Sequence, residues 1–299
     1  MSIDLSDRVA IVTGAGGGLG REHALLLAKR GAKIVVNELN EEAAERVATE
    51  IRSAGGEAIA APASVTEFSQ IEEVVRATLD RWGRIDILVN NAGILRDKTF
   101  AKMSLDDFRL VMDVHVMGGV NCTKAVWDHM RERNYGRIVL TTSSSGLYGS
   151  FGQANYGAAK MALVGLMQTL ALEGARNNIR VNCIAPTAAT AMTEGLLPAE
   201  MLVLLTPAVV SPGVLALVAD DAPTRTILCA GAGGFEQAHV TLTRGIFVGG
   251  GDEAAEQIAV RWSDIGSEIG SMIPQAGAAQ GQLELAKASG EAAGSNGGA

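Results

Sequence analysis

The segment Val9–Gly31, VAIVTGAGGGLGREHALLLAKRG, joins an apolar run of strand length to a stretch with helical spacing through a cluster of glycines. Between strand and helix, a turn without Cβ atoms lets main-chain N–H groups and the positive end of the helix dipole face an anion at close range. Pyrophosphate is the anion such a turn suits, and an ordinary tight turn is the competing reading. The rest of the chain decides between them.

Apolar runs of strand length recur at Lys33–Asn37, Ala58–Ala61, Ile85–Asn90, Arg137–Thr142, Ile179–Ala185 and Thr226–Ala230. Helical stretches alternate with them near Arg21–Arg30, Glu41–Ala54, Gln70–Trp82, Asp106–Arg133 and Tyr156–Arg176, with Leu, Val and Ala at three- and four-residue spacing. This alternation predicts an α/β fold: a doubly wound, seven-stranded parallel sheet with helices on both faces, in a single domain. In such sheets ligands lie beyond the carboxyl ends of the strands, so chemistry is expected just after each strand.

Composition narrows the partners. A chain of 299 residues, 47% of them hydrophobic, buries a sizeable core, and a net charge of -8 disfavours nucleic acid and anionic membrane surfaces. A small-molecule substrate is the expected partner. Cys122, Cys183 and Cys229 lie in apolar surroundings without metal-ligand spacing, so they read as buried reduced thiols and no metal is expected. A cytoplasmic location suits them, and MSIDLSDR lacks the apolar core of a secretory signal. The uncharged stretch Met201–Ala219 is broken by Pro207, Pro212 and Gly213; it predicts a short buried helix capped by Ser211 rather than a membrane span. The folded domain is expected over 1–274. Residues 275–299, rich in Gly, Ala, Ser and Gln, read as a mobile tail with at most a short helix around Gln282–Ala288.

The first strand ends in Thr13-Gly14 and the turn closes with Gly18-Leu19-Gly20, giving T-G-x-x-x-G-x-G. The second strand ends VVNEL, which places Glu38 where a carboxylate accepts hydrogen bonds from adenosine ribose hydroxyls; a solvated strand-end acid is the alternative. Glu38 would repel a ribose 2′-phosphate, and no Lys or Arg follows it at once, so NAD is expected over NADP. The fourth strand ends NNAG, where Asn90, Ala92 and Gly93 let a cofactor ribose lie against the backbone. TTSSSG and then YGAAK follow the fifth strand. Tyr156 and Lys160, four apart, share a helix face, so the ammonium can stabilise a tyrosinate. A phenol with a pKa of about 10 is a poor base at neutral pH without such help.

TGAGGGLG, NNAG, a strand-end serine and YGAAK, in this order, resemble the short-chain dehydrogenase/reductase family over roughly Leu5 to Gly251. The resemblance implies a Rossmann fold, an NAD-dependent oxidoreductase acting on CH–OH donors, and a homo-oligomer, dimer or tetramer. It also implies a Ser-Tyr-Lys site. The family's serine stands thirteen positions before its tyrosine, which selects Ser143 over Ser144 and Ser145. Ser143 would orient a substrate hydroxyl, Tyr156 take its proton, and Lys160 hold the tyrosinate and the nicotinamide ribose. Gly14, Gly18, Leu19 and Gly20 would cradle the pyrophosphate. Ser64 stands where the family often has an acid near the adenine, leaving backbone around Val65 to hold it; Pro186 and Ala189 complete the implied cofactor set. In MDVHVMG, His115 takes the place of the family's relay asparagine and reads either as a relay member or as a structural histidine.

A narrower resemblance is to the dehydrogenase domains of peroxisomal multifunctional enzyme type 2 and their stand-alone bacterial relatives. It is carried by RIDILVNNAGILRDKTFAKMS, YGRIVLTTSSSGLYGSFGQANYGAAK and RVNCIAPTAATAMTE, and it weakens past Gly231. It implies oxidation of (3R)-3-hydroxyacyl-CoA in fatty acid metabolism. Another carbonyl substrate, such as a 3-oxoacyl thioester, and a dinucleotide-binding regulator without turnover are the alternatives. Thr187–Leu205, with Met192, Leu196, Leu197, Met201 and Leu202, reads as an apolar lid or as a packed loop and helix. Arg96, Lys98 and Lys102 read as contacts for coenzyme A phosphates or as a solvated basic face.

Overall fold

The computed structural model describes residues 2–189 and 199–290. The chain divides into two compact units, Met1–Ala238 and His239–Ala299. In the first, β1 (Val9–Thr13) leads through the glycine turn into α1 (Gly18–Lys29), followed by β2 (Lys33–Glu38), α2 (Glu41–Ser53), β3 (Ala58–Pro62), α3 (Phe68–Trp82) and β4 (Ile87–Asn90). The next crossover is α4 (Leu105–Met112), a π turn at Asp113–Met117 and α5 (Gly118–Arg133), which delivers β5 (Gly136–Thr141). Then come α6 (Ser144–Tyr148), α7 (Ala154–Gly174), β6 (Ile179–Thr187), α8 (Ala199–Leu204), α9 (Ser211–Leu217), β7 (Ile227–Gly231) and β8 (Gly234–Ala238).

Among the described residues these eight strands form one sheet in the order β3-β2-β1-β4-β5-β6-β7-β8. All seven expected strands are present and parallel; β8 is an addition, antiparallel to β7. Ala232 and Gly233, with φ of 50° and 81°, form its two-residue turn, the positive pair that suits a tight hairpin. GFEQA escapes a sequence reading because it has one large apolar side chain and no alternation. Pairing along the sheet edge, rather than burial, makes it a strand.

Residues of one strand divide by turns between two apolar layers. Ala10 and Val12 of β1 pack with α1, α2 and α9 on one face, while Ile11 packs with α3, α5 and α7 on the other. A parallel sheet covered on both faces needs apolar residues at every position, which explains runs such as VAIVT. The α1 and α9 layer also holds a buried polar pair, His23 Nδ1 lying 2.8 Å from Ser211 Oγ. That contact corrects the expected capping role of Ser211: α9 begins at Ser211 itself, after Val210, and the hydroxyl meets the imidazole instead. Among the described residues no helix is long and apolar enough to cross a membrane.

The second unit contains α10 (Ala254–Val260), α11 (Trp262–Ile265) and α12 (Ala278–Ser289). Leu242 and Met272 exchange two backbone hydrogen bonds, 2.8 and 2.9 Å long. The helix α12 lies where average composition argues for an unpacked tail. The average conceals AAQGQLELAKAS, a local run of good helix formers in which Leu283 is buried.

Candidate active site

Strand order reverses between β1 and β4, and the glycine turn sits at that crevice. Gly14 has φ of +62°, and a Cβ there would lie 2.8 Å from Ala92 Cα. Gly17, at the start of α1, has nothing within 4 Å of the position a Cβ would take; no side chain caps the helix and its first turn carries no acid. The first N–H groups of α1 therefore present a cradle suited to an anion. A Cβ on Gly20 would overlap the Gly14 carbonyl, so Gly20 lets helix and turn pack together instead of lining the crevice.

Thr13 Oγ1 accepts the N–H groups of Asn91 and Ala92 at 3.0 Å each, and Asn91 Nδ2 donates to the carbonyls of Thr13 (3.0 Å) and Gly14 (3.2 Å). Asn91 thus staples NNAG to the turn. Sequence reasoning passed over it in favour of its neighbours; the available signal was a second amide at a strand end facing a turn with unpaired carbonyls.

A cleft of about 460 Å³ follows the carboxyl ends of the strands. Gly14, Gly18, Leu19 and Glu38 line it, with Ser64 and Val65 after β3 and Ala92 and Gly93 after β4. His115, Tyr156, Lys160 and Pro186 line it as well. Gly20, Asn90, Ser143 and Ala189 do not. Asn90 donates to Thr123 Oγ1 at 3.1 Å and borders a smaller cavity shared with His115, Thr141 and Lys160. The Ala189 N–H donates to the Leu205 carbonyl at 2.6 Å. Glu38 is more than a solvated acid: Oε1 accepts the Leu39 N–H (2.8 Å) and Oε2 the Gly16 N–H (3.2 Å). Cradle and carboxylate together fit a dinucleotide.

Tyr156 and Lys160 lie one turn apart on α7, with Lys160 Nζ 5.4 Å from the phenol ring centroid and donating to the Thr141 carbonyl at 2.6 Å. Ser143 caps α6, its Oγ accepting the Ser145 N–H at 3.2 Å, and its hydroxyl favours the ionised form of the Tyr156 phenol. Burial pushes the Lys160 amine down to about 7 and the Tyr156 phenol above its ordinary value, the Ser143 hydroxyl opposing the latter. In the protein by itself desolvation is the largest influence on each and drives both groups toward neutrality. Asn155, also missed from sequence, positions Tyr156: fully buried, it donates to the Arg96 carbonyl at 3.1 Å and accepts the Tyr156 N–H at 2.7 Å.

His115 lies in the π turn, a feature frequent at functional sites and signalled only by the Gly118-Gly119 pair that follows. Its Nε2 lies 2.8 Å from the Ile94 carbonyl and 3.0 Å from the Ile94 nitrogen, and its ring stands edge-on to Tyr156 at 5.3 Å. A Cβ on Gly93 would overlap this imidazole. Burial, reinforced by Lys160, holds His115 down at about 3, so at neutral pH it is uncharged.

Arg96 and Lys98 share Asp107, at 3.9 and 3.2 Å, which favours a self-neutralised surface over a phosphate site; Lys102 is exposed in a short 3₁₀ turn. Of the lid expected over Thr187–Leu205, Met192, Leu196 and Leu197 lie outside the described residues, as does the side chain of Met201. Leu202 is half-buried. Cys122 and Cys183 are buried, Cys229 is partly so, and burial pushes the Cys122 thiol up to about 12. Among the described residues no three His, Cys, Asp or Glu side chains converge as a metal site would require.

Comparison with known proteins places these features. Residues 8–200 match the short chain dehydrogenase family. Peroxisomal multifunctional enzyme A of Dictyostelium discoideum is 45% identical over 277 residues, covering 89% of this chain and 62% of that protein. A short-chain type dehydrogenase/reductase of Mycobacterium tuberculosis is 44% identical over 285 residues, covering 90% of this chain and 97% of that one. The solved structure of full-length peroxisomal multifunctional enzyme type 2 from Drosophila melanogaster superposes with a TM-score of 0.81 at 39% identity, over 97% of this chain and 51% of that chain. This chain therefore spans between about a quarter and two thirds of the multifunctional proteins it matches and nearly all of the bacterial one. The family match, the sheet order and a nicotinamide dinucleotide cleft agree: the chain belongs to the short-chain dehydrogenase family.

Proposed function

We propose that this chain oxidises (3R)-3-hydroxyacyl-CoA to 3-oxoacyl-CoA with NAD. The observation that carries the chemistry is the convergence of Ser143, Tyr156 and Lys160 beside a dinucleotide cradle. Ser143 orients the substrate hydroxyl; Tyr156 takes its proton as general base; Lys160 steadies the tyrosinate. A bound oxidised nicotinamide supplies the hydride acceptor, and its positive ring favours the phenolate that burial disfavours. Neutral His115, anchored through Ile94, supports a relay as a hydrogen-bonding group rather than as a cation. The acyl-CoA class rests on the multifunctional-enzyme relatives. It is tested by following NADH formation with 3-hydroxyacyl-CoAs, acyl-carrier thioesters and simple secondary alcohols. Acyl-CoA oxidation well above the others supports the proposal; preference for another alcohol overturns the substrate, and NAD binding without turnover favours a regulator.

The choice of NAD rests on Glu38. Dissociation constants should favour NAD, and Glu38→Ala should narrow the gap by removing repulsion of the 2′-phosphate. Preference of the intact protein for NADP would contradict this. We also propose a cytoplasmic, oligomeric protein. Leu110, Met117, Met161 and Leu172 expose apolar side chains along α4, the π turn and α7, surface that a twofold partner would cover. Light scattering should give a dimer or tetramer mass, and a monomer at working concentration would refute it.

A further inference from the structure

Glu38 and a residue of α2 hold the same residue of the phosphate turn through its two flanking peptide groups. The Gly16 N–H donates to Glu38 Oε2 at 3.2 Å, and Arg46 Nη2 donates to the Gly16 carbonyl at 3.0 Å. A Cβ on Gly16 would lie 2.7 Å from Glu38 Cγ and 2.9 Å from Ala43 Cβ, so the end of β2 and the first turn of α2 close directly on this residue. The start of α2 is itself fixed by Asn40, whose Oδ1 accepts the Ala43 N–H at 2.8 Å. The Arg46 guanidinium and the Glu38 carboxylate are therefore both held on Gly16, although Arg46 itself does not line the dinucleotide cleft.

Arg46 has three further properties. It is exposed. Among the described residues no carboxylate approaches its guanidinium within 4.0 Å, although Glu42, Glu45 and Glu50 lie on the same helix. One of its N–H groups is bonded to the turn, and a guanidinium carries five such donors in a fork that matches phosphate oxygens. Competing cations are engaged or remote: Arg21 is paired with Glu22 and Glu50, and the basic side chain lining the cleft, Lys160, belongs to the catalytic end.

We propose that Arg46 is a second cofactor-discriminating residue, set against Glu38: it is the group that would bind an adenosine 2′-phosphate, and the Glu38 carboxylate suppresses that capacity. The inference rests on the assignment of Glu38 to the adenosine ribose. With Glu38 present, its carboxylate repels a dianionic phosphate; with Glu38 removed, the guanidinium, which shares its surface with Glu41, Glu42 and Glu45, is the basic group held on the turn.

The test is a set of dissociation constants for NAD and NADP with the intact protein, Glu38→Ala, Glu38→Ala/Arg46→Ala and Glu38→Ala/Arg46→Lys, at low and high salt. Glu38→Ala should raise the NADP-to-NAD affinity ratio by about tenfold or more, the scale of a charge-assisted contact. Adding Arg46→Ala should return the ratio to within about threefold of the intact protein, Arg46→Lys should keep part of the gain, and salt should weaken it. The ratio is its own control for folding, because a damaged site weakens both cofactors. A double alanine variant that keeps the full Glu38→Ala gain overturns the role of Arg46 while leaving the NAD assignment standing. An intact protein that binds NADP as well as NAD overturns both.

Discussion

Tyr156→Phe should reduce turnover by about 10²–10⁴-fold, the usual scale for loss of a general base, while NAD affinity changes far less. Phenylalanine keeps the ring that stands edge-on to His115 and removes only the phenolic oxygen. The cradle is built from Gly14, Asn91 and the start of α1, none of which touches that oxygen. Lys160→Ala should also lower turnover, since it removes the amine held 5.4 Å from the phenol ring centroid. Parallel collapse of NAD binding and turnover in Tyr156→Phe would assign the tyrosine to cofactor binding instead.

Acid should destabilise the fold well before its carboxylates titrate. Burial holds the imidazoles of His23 and His115 down at about 3, against an ordinary value of 6.5. Above pH 6.5 both are neutral in folded and unfolded chains alike; below it the unfolded chain takes up protons that the folded chain refuses, so stability falls until about pH 3. Between pH 7 and 4.5 each histidine should contribute a loss of about 2–3 kcal/mol. His23→Gln retains a side chain able to bond Ser211 but cannot titrate. Urea unfolding at the two pH values should show a smaller acid loss for this variant than for the intact protein. Equal losses would place the acid sensitivity elsewhere.

The sheet was legible because its central strands are buried on both faces, and continuous apolar runs such as VAIV in β1 are the direct record of that burial. The hairpin strand β8 was not, since an edge strand held by main-chain pairing needs no apolar pattern. At the site, Gly14, Tyr156 and Lys160 could be found because turn chemistry and helical spacing are local. Asn91, Asn155 and Arg46 act across 77, 59 and 30 positions of sequence, and only the folded chain brings such partners together. The same limit affected the charges. Spacing alone suggests that Lys160 stabilises a tyrosinate, whereas burial, invisible in the spacing, moves the lysine and the phenol toward neutrality.

The central claim is stereospecific alcohol oxidation at Ser143, Tyr156 and Lys160, and the most direct measurement is NADH formation from the two enantiomers of a 3-hydroxyacyl-CoA at saturating NAD. The (3R) enantiomer should be oxidised, with a kcat/KM at least about tenfold above that of the (3S) enantiomer, a margin of about 1.4 kcal/mol at the transition state. Equal use of both enantiomers, or NAD binding with no NADH formed from either, would contradict it.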